Sequence, residues 1–309
     1  MKEAKRVAAF TASSRTGQTI ILKDGRTLGY GEWGYRAGRV IFYFHGYPGS
    51  HYEAALADEP ATRAGVRLIG LDRPGMGLSS FKPGRRLLDW PDDVMEAADA
   101  LDIERFAVIG MSGGGPYAAA CACKIPGRLA ACGIVAGLAP FKHGFKDMMF
   151  QIRLVFWAAK HAPWLYDRLL TLILNLHRQN PEKMEKILLA GMYRLPEPDR
   201  RYLEKPEIRA AIVRYTEEAF RQGTDGVLYE GDLYTRPWGF EPEDIAFDKI
   251  SLWHGDLDRS VPVSMGRAMA QRLPNVRATF YPNDGHLSIA LNHMDEILGM
   301  SLSDRFASG

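Results

Sequence analysis

Three short stretches of this 309-residue chain carry side chains that could do covalent chemistry. Gly110-Met111-Ser112-Gly113-Gly114 sets a serine with a glycine two residues to either side. The apolar run Phe106-Ala107-Val108-Ile109 before it reads as a buried strand, and Pro116 to Ala122 after it reads as a helix. A G-x-S-x-G between strand and helix is a turn tight enough to strain the serine backbone and expose its hydroxyl. Amides at the helix start lie beside that hydroxyl, where a developing oxyanion would form. The hydroxyl becomes a nucleophile when a base takes its proton and an acid orients that base. Asn283-Asp284-Gly285-His286 offers the base, and His254-Gly255-Asp256-Leu257-Asp258 offers two carboxylates. Taken alone, the serine pattern also fits a glycine-rich turn with a helix-capping serine. The elements around these loops decide between the two.

Thr19 to Leu22 and Arg26 to Tyr30 flank Asp24-Gly25, a hairpin signal. Gly29, Gly31 and Gly34 fit the dinucleotide-binding spacing, but a strand rather than a helix follows, so they read as hairpin backbone. Strands are predicted at Arg39–Phe44, Val66–Leu71, Phe106–Ile109, Ala130–Val135, Ile250–His254 and Ala278–Tyr281. Helical runs alternate with them at Tyr52–Ala64, Leu88–Leu101, Pro116–Lys124, Val263–Leu273 and Leu287–Leu298. That rhythm implies a mostly parallel α/β sheet covered by helices on both faces. The serine, acid and histidine loops would then share the C-terminal strand edge.

Between Phe141 and Phe240 only helical spacing recurs, as in Phe145-Met148-Met149-Ile152-Phe156, Leu165-Leu169-Leu172-Ile173-Leu176 and Met184-Ile187-Leu188. Pro163, Pro181, Pro196, Pro198 and Pro206 break it. The predicted organisation is a flexible extension over 1–18, an α/β core over 19–140 and 241–309, and an all-helical insertion over 141–240. Phe145, Met148, Met149, Phe150, Phe156, Trp157, Trp164 and Trp238 are expected to form mainly the core of that insertion, with a minority lining a pocket.

Lys and Arg total 39 against 37 Asp and Glu, a net charge of +2 that gives no case for nucleic-acid binding. Cys121, Cys123 and Cys132 have no C-x-x-C spacing and read as small thiols in a reducing compartment. Met1 to Gln18 has no apolar segment of signal-peptide length, and no apolar run reaches the ~18 residues of a membrane span. The expectation is a cytoplasmic protein with no membrane span. No histidine spacing suggests a metal, and neither metal nor cofactor is expected.

His45-Gly46-Tyr47-Pro48, Asp72-Arg73-Pro74-Gly75-Met76-Gly77, Gly110 to Gly114, Gly255-Asp256-Leu257-Asp258 and Gly285-His286 each stand at a predicted strand end, in this order. Together they resemble the α/β-hydrolase superfamily in its cap-bearing, carboxylesterase-like form. The resemblance implies Ser112 as nucleophile and His286 as base, with the insertion as a helical cap. It selects Asp258, three residues after Gly255, as the acid, and leaves Asp256 to brace the loop through its amides. The amides of Tyr47 and Gly113 would form the oxyanion hole, and His45 would tie its own loop by hydrogen bonds. The implied activity is cleavage of a small to medium, largely apolar carboxylic ester through an acyl-enzyme. Lactonase, thioesterase, C–C hydrolase, aminopeptidase and perhydrolase activities suit the same triad, as does a ligand-binding or receptor role with vestigial hydrolysis. The implied partner is a small ester-like molecule, with monomer and homodimer both open.

Overall fold

The computed structural model describes residues 15–180 and 195–300. Its first two strands, β1 (Arg15–Ile21) and β2 (Thr27–Gly34), form the predicted antiparallel hairpin, with Gly25 at φ 84° in the turn. Gly29, Gly31 and Gly34 lie in β2, so the dinucleotide-like spacing is strand backbone. Residues 15–18 of the expected extension over 1–18 belong instead to β1, where Arg15 pairs with Glu32 and Gln18 with Tyr30. Arg15-Thr16-Gly17-Gln18 has no apolar side chain, so this edge carries no hydrophobic pattern to read. Residues 1–14 and the run Met184-Ile187-Leu188 lie outside the described residues.

Six parallel strands follow the hairpin: β3 (Arg39–Phe44), β4 (Val66–Leu71), β5 (Phe106–Met111), β6 (Leu129–Val135), β7 (Ile250–Gly255) and β8 (Val276–Tyr281). The sheet order is β1-β2-β4-β3-β5-β6-β7-β8, with β2 antiparallel to β4 and each later pair parallel. Strand alternation sends Phe42, Phe44, Phe106 and Val108 to one face, and Ile41, Tyr43, Ala107 and Ile109 to the other. Helices α2 (Trp90–Ala100), α3 (Gly115–Lys124) and α9 (Val263–Arg272) pack on the first face. On the second lie α1 (Asp58–Arg63) and α10 (Ser288–Gly299), beside a 3₁₀ turn at His51–Ala57. Both faces are buried, which is why the central strands read as continuous apolar runs.

Between β6 and β7 the described chain is helical: α4 (Phe150–His161), α5 (Pro163–Gln179), α6 (Glu197–Leu203), α7 (Pro206–Ala219) and α8 (Asp225–Leu233). Pro163 and Pro206 open their helices, where the missing N–H costs no hydrogen bond. Met148, Phe156 and Trp238 are buried, but Phe150, Trp157 and Trp164 are 70%, 53% and 65% exposed, not core as expected. The reason is that α4 has two apolar stripes. Ile152, Phe156 and Ala159 face inward, while Phe150, Leu154 and Trp157 recur at the same spacing outward. Periodicity finds both and cannot rank them.

Candidate active site

Ser112 follows β5 directly and has φ 52°, a left-handed conformation that side-chain-bearing residues rarely adopt. The flanking glycines make the turn possible. A side chain on Gly110 would collide with the Gly114 carbonyl, and one on Gly114 with the Phe44 carbonyl of the neighbouring strand. The Ser112 carbonyl accepts hydrogen bonds from the amides of Leu138 (3.1 Å) and Gly115. Since a trans peptide sets N–H opposite to C=O, this anchoring turns the Gly113 N–H the other way.

His286 stands after β8, and its Nδ1 lies 2.7 Å from Asp258 Oδ2. Asp258 is buried, and its Oδ1 accepts the Ser260 and Val261 amides at 2.8 and 2.9 Å. With Nδ1–H donated to Asp258, Nε2 keeps a free lone pair. Burial alone would lower the imidazole pKa, but the adjacent Asp258 carboxylate reverses this and raises it above its usual value. Asp256 departs from expectation. It is partly exposed and binds Arg267 Nη2 (2.8 Å) rather than loop amides, which Asp258 itself accepts. The difference is directional, since α9 presents Arg267 beside the first carboxylate of the loop while the second turns inward. His254 is buried, with Nε2 2.8 Å from the Val261 carbonyl.

Asp199, on α6, is the residue sequence reasoning missed. It is 1% exposed and accepts the amides of His286 (2.9 Å), Leu287 (3.0 Å) and Ser288 (2.9 Å). A helical segment of the insertion thereby holds the backbone of the histidine loop. Gly285 is required there, because a side chain would run into the Asp199 carboxylate. Only its place after two closely spaced prolines, in Pro196-Glu197-Pro198-Asp199, marks this in sequence, and such a pattern ordinarily reads as a loop.

Tyr47 and Gly113 abut each other. A Cβ on Gly113 would lie 2.8 Å from Tyr47 Cβ and 2.6 Å from Tyr234 Oη. Arg73 is fully buried, and it donates from Nη2 to the Gly46 carbonyl (2.8 Å) and from Nη1 to the His45 carbonyl. Anchoring the Gly46 C=O turns the Tyr47 N–H away from Arg73, by the same trans-peptide rule. His45 closes the loop, its Nδ1 2.8 Å from the Gly46 carbonyl and its Nε2 accepting the Arg73 amide (3.3 Å). Burial and the Arg73 charge push its pKa down to about 3, so it is neutral and occupied, a loop tie as expected.

Arg73 is held by Glu230 of α8, through Nε at 2.8 Å and Nη2 at 2.6 Å. Arg85 Nη2 binds the other Glu230 oxygen at 2.8 Å. Burial would raise the Glu230 carboxyl, but the two guanidiniums overcome that and hold it at about 2. Tyr234 Oη lies 2.6 Å from Glu230 and 2.8 Å from the Gly113 carbonyl. Behind this loop, Asp72 accepts the His51 ring (2.8 Å) and amide (2.7 Å), so the acid of the Asp72-Arg73-Pro74-Gly75 stretch is a brace.

Two cavities, of about 170 and 300 Å³, adjoin these loops, and Ser112, His286, Tyr47 and Pro48 line both. The structure thus gathers Ser112, His286, Asp258, Tyr47 and Gly113 at one sheet edge and leaves Asp256 outside.

The family model described as alpha/beta hydrolase fold matches residues 39–292. A non-heme chloroperoxidase from Streptomyces lividans is 32% identical over 124 residues, 40% of this chain and 45% of that protein. A bifunctional esterase/perhydrolase from Acinetobacter calcoaceticus is 28% identical over 122 residues, 39% of this chain and 44% of that protein. The chain therefore spans less than half the length of either curated relative. Among solved structures, a bromoperoxidase from Bacillus anthracis has a TM-score of 0.68 at 19% identity, covering 96% of this chain and 100% of that one. An esterase from Exiguobacterium antarcticum has a TM-score of 0.63 at 16% identity, covering 95% and 100%. Such identities speak for the fold, and with the match over 39–292 they place the chain in the α/β-hydrolase family.

Proposed function

We propose that this protein is a serine hydrolase that cleaves a small to medium, largely apolar carboxylic ester. The observation that carries the reading is the 2.7 Å contact between His286 Nδ1 and buried Asp258, with Ser112 on a strained turn lining the same cavities. In this mechanism His286 Nε2 takes the Ser112 proton as Oγ attacks the ester carbonyl. The Tyr47 and Gly113 amides hold the tetrahedral oxyanion. The imidazolium returns its proton to the leaving alkoxide, which departs as the alcohol. Water, deprotonated by His286, then attacks the acyl-enzyme and releases the acid and free Ser112. The helices between β6 and β7 serve as a cap, with Phe156, Met148 and Ile152 offering apolar surface to the substrate.

A second reading, acyl transfer to hydrogen peroxide in place of water, is favoured by the curated relatives named as a chloroperoxidase and an esterase/perhydrolase. It uses the same acyl-enzyme and yields a peracid. The test of both is Ser112→Ala. The wild type is expected to be labelled by a fluorophosphonate and to turn over p-nitrophenyl esters. The variant should lose labelling and on the order of 10⁴ to 10⁶ in kcat. A folded Ser112→Ala protein with near-normal turnover sinks the assignment, and peracid yield with peroxide present separates the two acceptors.

A further inference from the structure

The two cavities that meet at Ser112 and His286 differ in kind. The larger is walled by Leu138, Met148, Ile152, Val155, Phe156 and Val261, and suits hydrocarbon. The smaller also has apolar walls, among them Leu56 and Met294, but a carboxylate stands in it. Glu53 is only 7% exposed, and no lysine or arginine lines this cavity among the described residues. Its Oε1 accepts the Tyr43 hydroxyl (2.9 Å) and the Gly46 amide (3.1 Å), whereas Oε2 has the Gly46 amide (2.9 Å) as its hydrogen-bond partner. A carboxylate oxygen accepts in two lone-pair directions, so Oε2 keeps capacity that no hydrogen bond among the described residues uses. It is also close to the chemistry: a Cβ placed on Gly46 would lie 3.2 Å from Oε2 and 3.5 Å from Ser112 Cβ.

Shaping the Gly46 loop accounts for the amide contact but not for an acid. An amide or hydroxyl side chain would accept the same N–H without the cost of burying a charge. Burial does raise the Glu53 carboxyl pKa, relieved in part by the Gly46 amide, the Tyr43 hydroxyl and the more distant Arg73. Tyr215, on α7, is the remaining polar side chain from the insertion in this wall.

We propose that Glu53 makes the smaller cavity a subsite for a hydrogen-bond donor, so that the preferred ester carries a hydroxyl or protonated amine a few bonds from its carbonyl carbon. This rests on the ester-hydrolase reading and names its substrate class: apolar on one side of the ester, donor-bearing on the other. A cavity of about 170 Å³ admits a small donor-bearing group rather than a long chain.

The experiment compares kcat/KM within isosteric pairs. Hydroxyethyl butanoate is set against propyl butanoate, dimethylaminoethyl butanoate against isopentyl butanoate, and methyl β-hydroxybutanoate against methyl isovalerate. The first and third pairs report a hydroxyl on the alcohol or acyl side, and the second reports a cation. At least one donor ester is expected to exceed its isostere about tenfold or more, as in sites built to hydrogen-bond a substrate. Glu53→Gln, or Glu53→Asp should the first not fold, is expected to lower that ratio at least threefold. The ratio cancels any general damage to the Gly46 loop. Parity in all three wild-type pairs overturns the proposal, and so does a variant that slows donor ester and isostere equally. Persistent labelling of Ser112 with such parity removes the subsite alone, whereas absence of labelling and turnover removes the underlying reading as well.

Discussion

The imidazole of His286 is served by two carboxylates with separate tasks, Asp258 at its ring and Asp199 at its backbone amide. Its raised pKa has a functional sign. A histidine base must be neutral, so activity falls as pH drops through the folded pKa, and the acid limb is expected above the ordinary value near 6.5. Asp258→Asn removes the carboxylate that raises it and favours the wrong tautomer. A loss of roughly 10⁴ in kcat is expected, the figure for the equivalent change in the chymotrypsin-type triad. Whatever activity remains should have its acid limb shifted down. Asp256→Asn, which breaks only a surface pair with Arg267, should leave both kcat and the limb in place. Kinetics of the two purified variants across pH decide it, and the reverse ranking would mean the acid is misassigned. The family resemblance singled out the carboxylate that meets His286. It misread the other, because the partner of Asp256 is a side chain on α9 that no local pattern connects to it.

Among the elements, the loops after β3 and β5 face each other, and each is held by its carbonyls. Arg73 grips the His45 and Gly46 carbonyls while Glu230 grips Arg73, so a loop after β4 and a helix of the insertion set the direction of the Tyr47 amide. Replacing Arg73 by lysine keeps the charge but loses the fork that spans two carbonyls and a carboxylate. The expected result is a fall in kcat of about tenfold to a hundredfold, in line with weakening one oxyanion donor, with little change in KM. Glu230→Gln leaves two buried guanidiniums short of a partner and should destabilise the fold by about 3–5 kcal/mol. Because the folded-state pKa of Glu230 is depressed to about 2, its contribution is complete above the ordinary carboxylate range and is lost as pH falls towards 2. Denaturant melts at neutral and acid pH test this, and a Glu230→Gln protein as stable as wild type at neutral pH would refute it. Each loop motif was legible because glycine and proline punctuate it. The grip on its carbonyls was not, since Arg73 and Glu230 are far apart in sequence and no local pattern connects them.

Across the whole molecule, the sheet was readable because its central strands are buried on both faces and interrupted by regular helices. The edge strand at Arg15 to Gln18 and the outward stripe of α4 were misread, since neither has a side-chain pattern that distinguishes inside from outside. The least legible feature ties the insertion to the last helix of the core: Asp199 of α6 accepts three amides at the start of α10. Asp199→Ala is expected to cost roughly 1.5–3 kcal/mol, the range for hydrogen bonds to a charged group. The Asp199 charge also raises the His286 pKa, so the acid limb of activity should move down and kcat should fall more than KM changes. Asp199→Asn, keeping one acceptor, should recover part of the stability and little of the pH shift. Calorimetry with a pH–rate profile separates the two effects. Loss of stability with an unmoved limb and kcat would reduce Asp199 to a structural cap.

The helices between β6 and β7 therefore do not behave as an interchangeable module. They carry the acid that seats the histidine loop and the acid that seats Arg73, whereas the parts being seated belong to the sheet. A chimera given another family member's insertion must bring carboxylates to both places, or inherit three orphaned amides and two buried guanidiniums without their carboxylate. Substrate range in such a scaffold is freer to diversify through the walls of α4 than through wholesale exchange, since the ties that hold the chemistry run through α6 and α8.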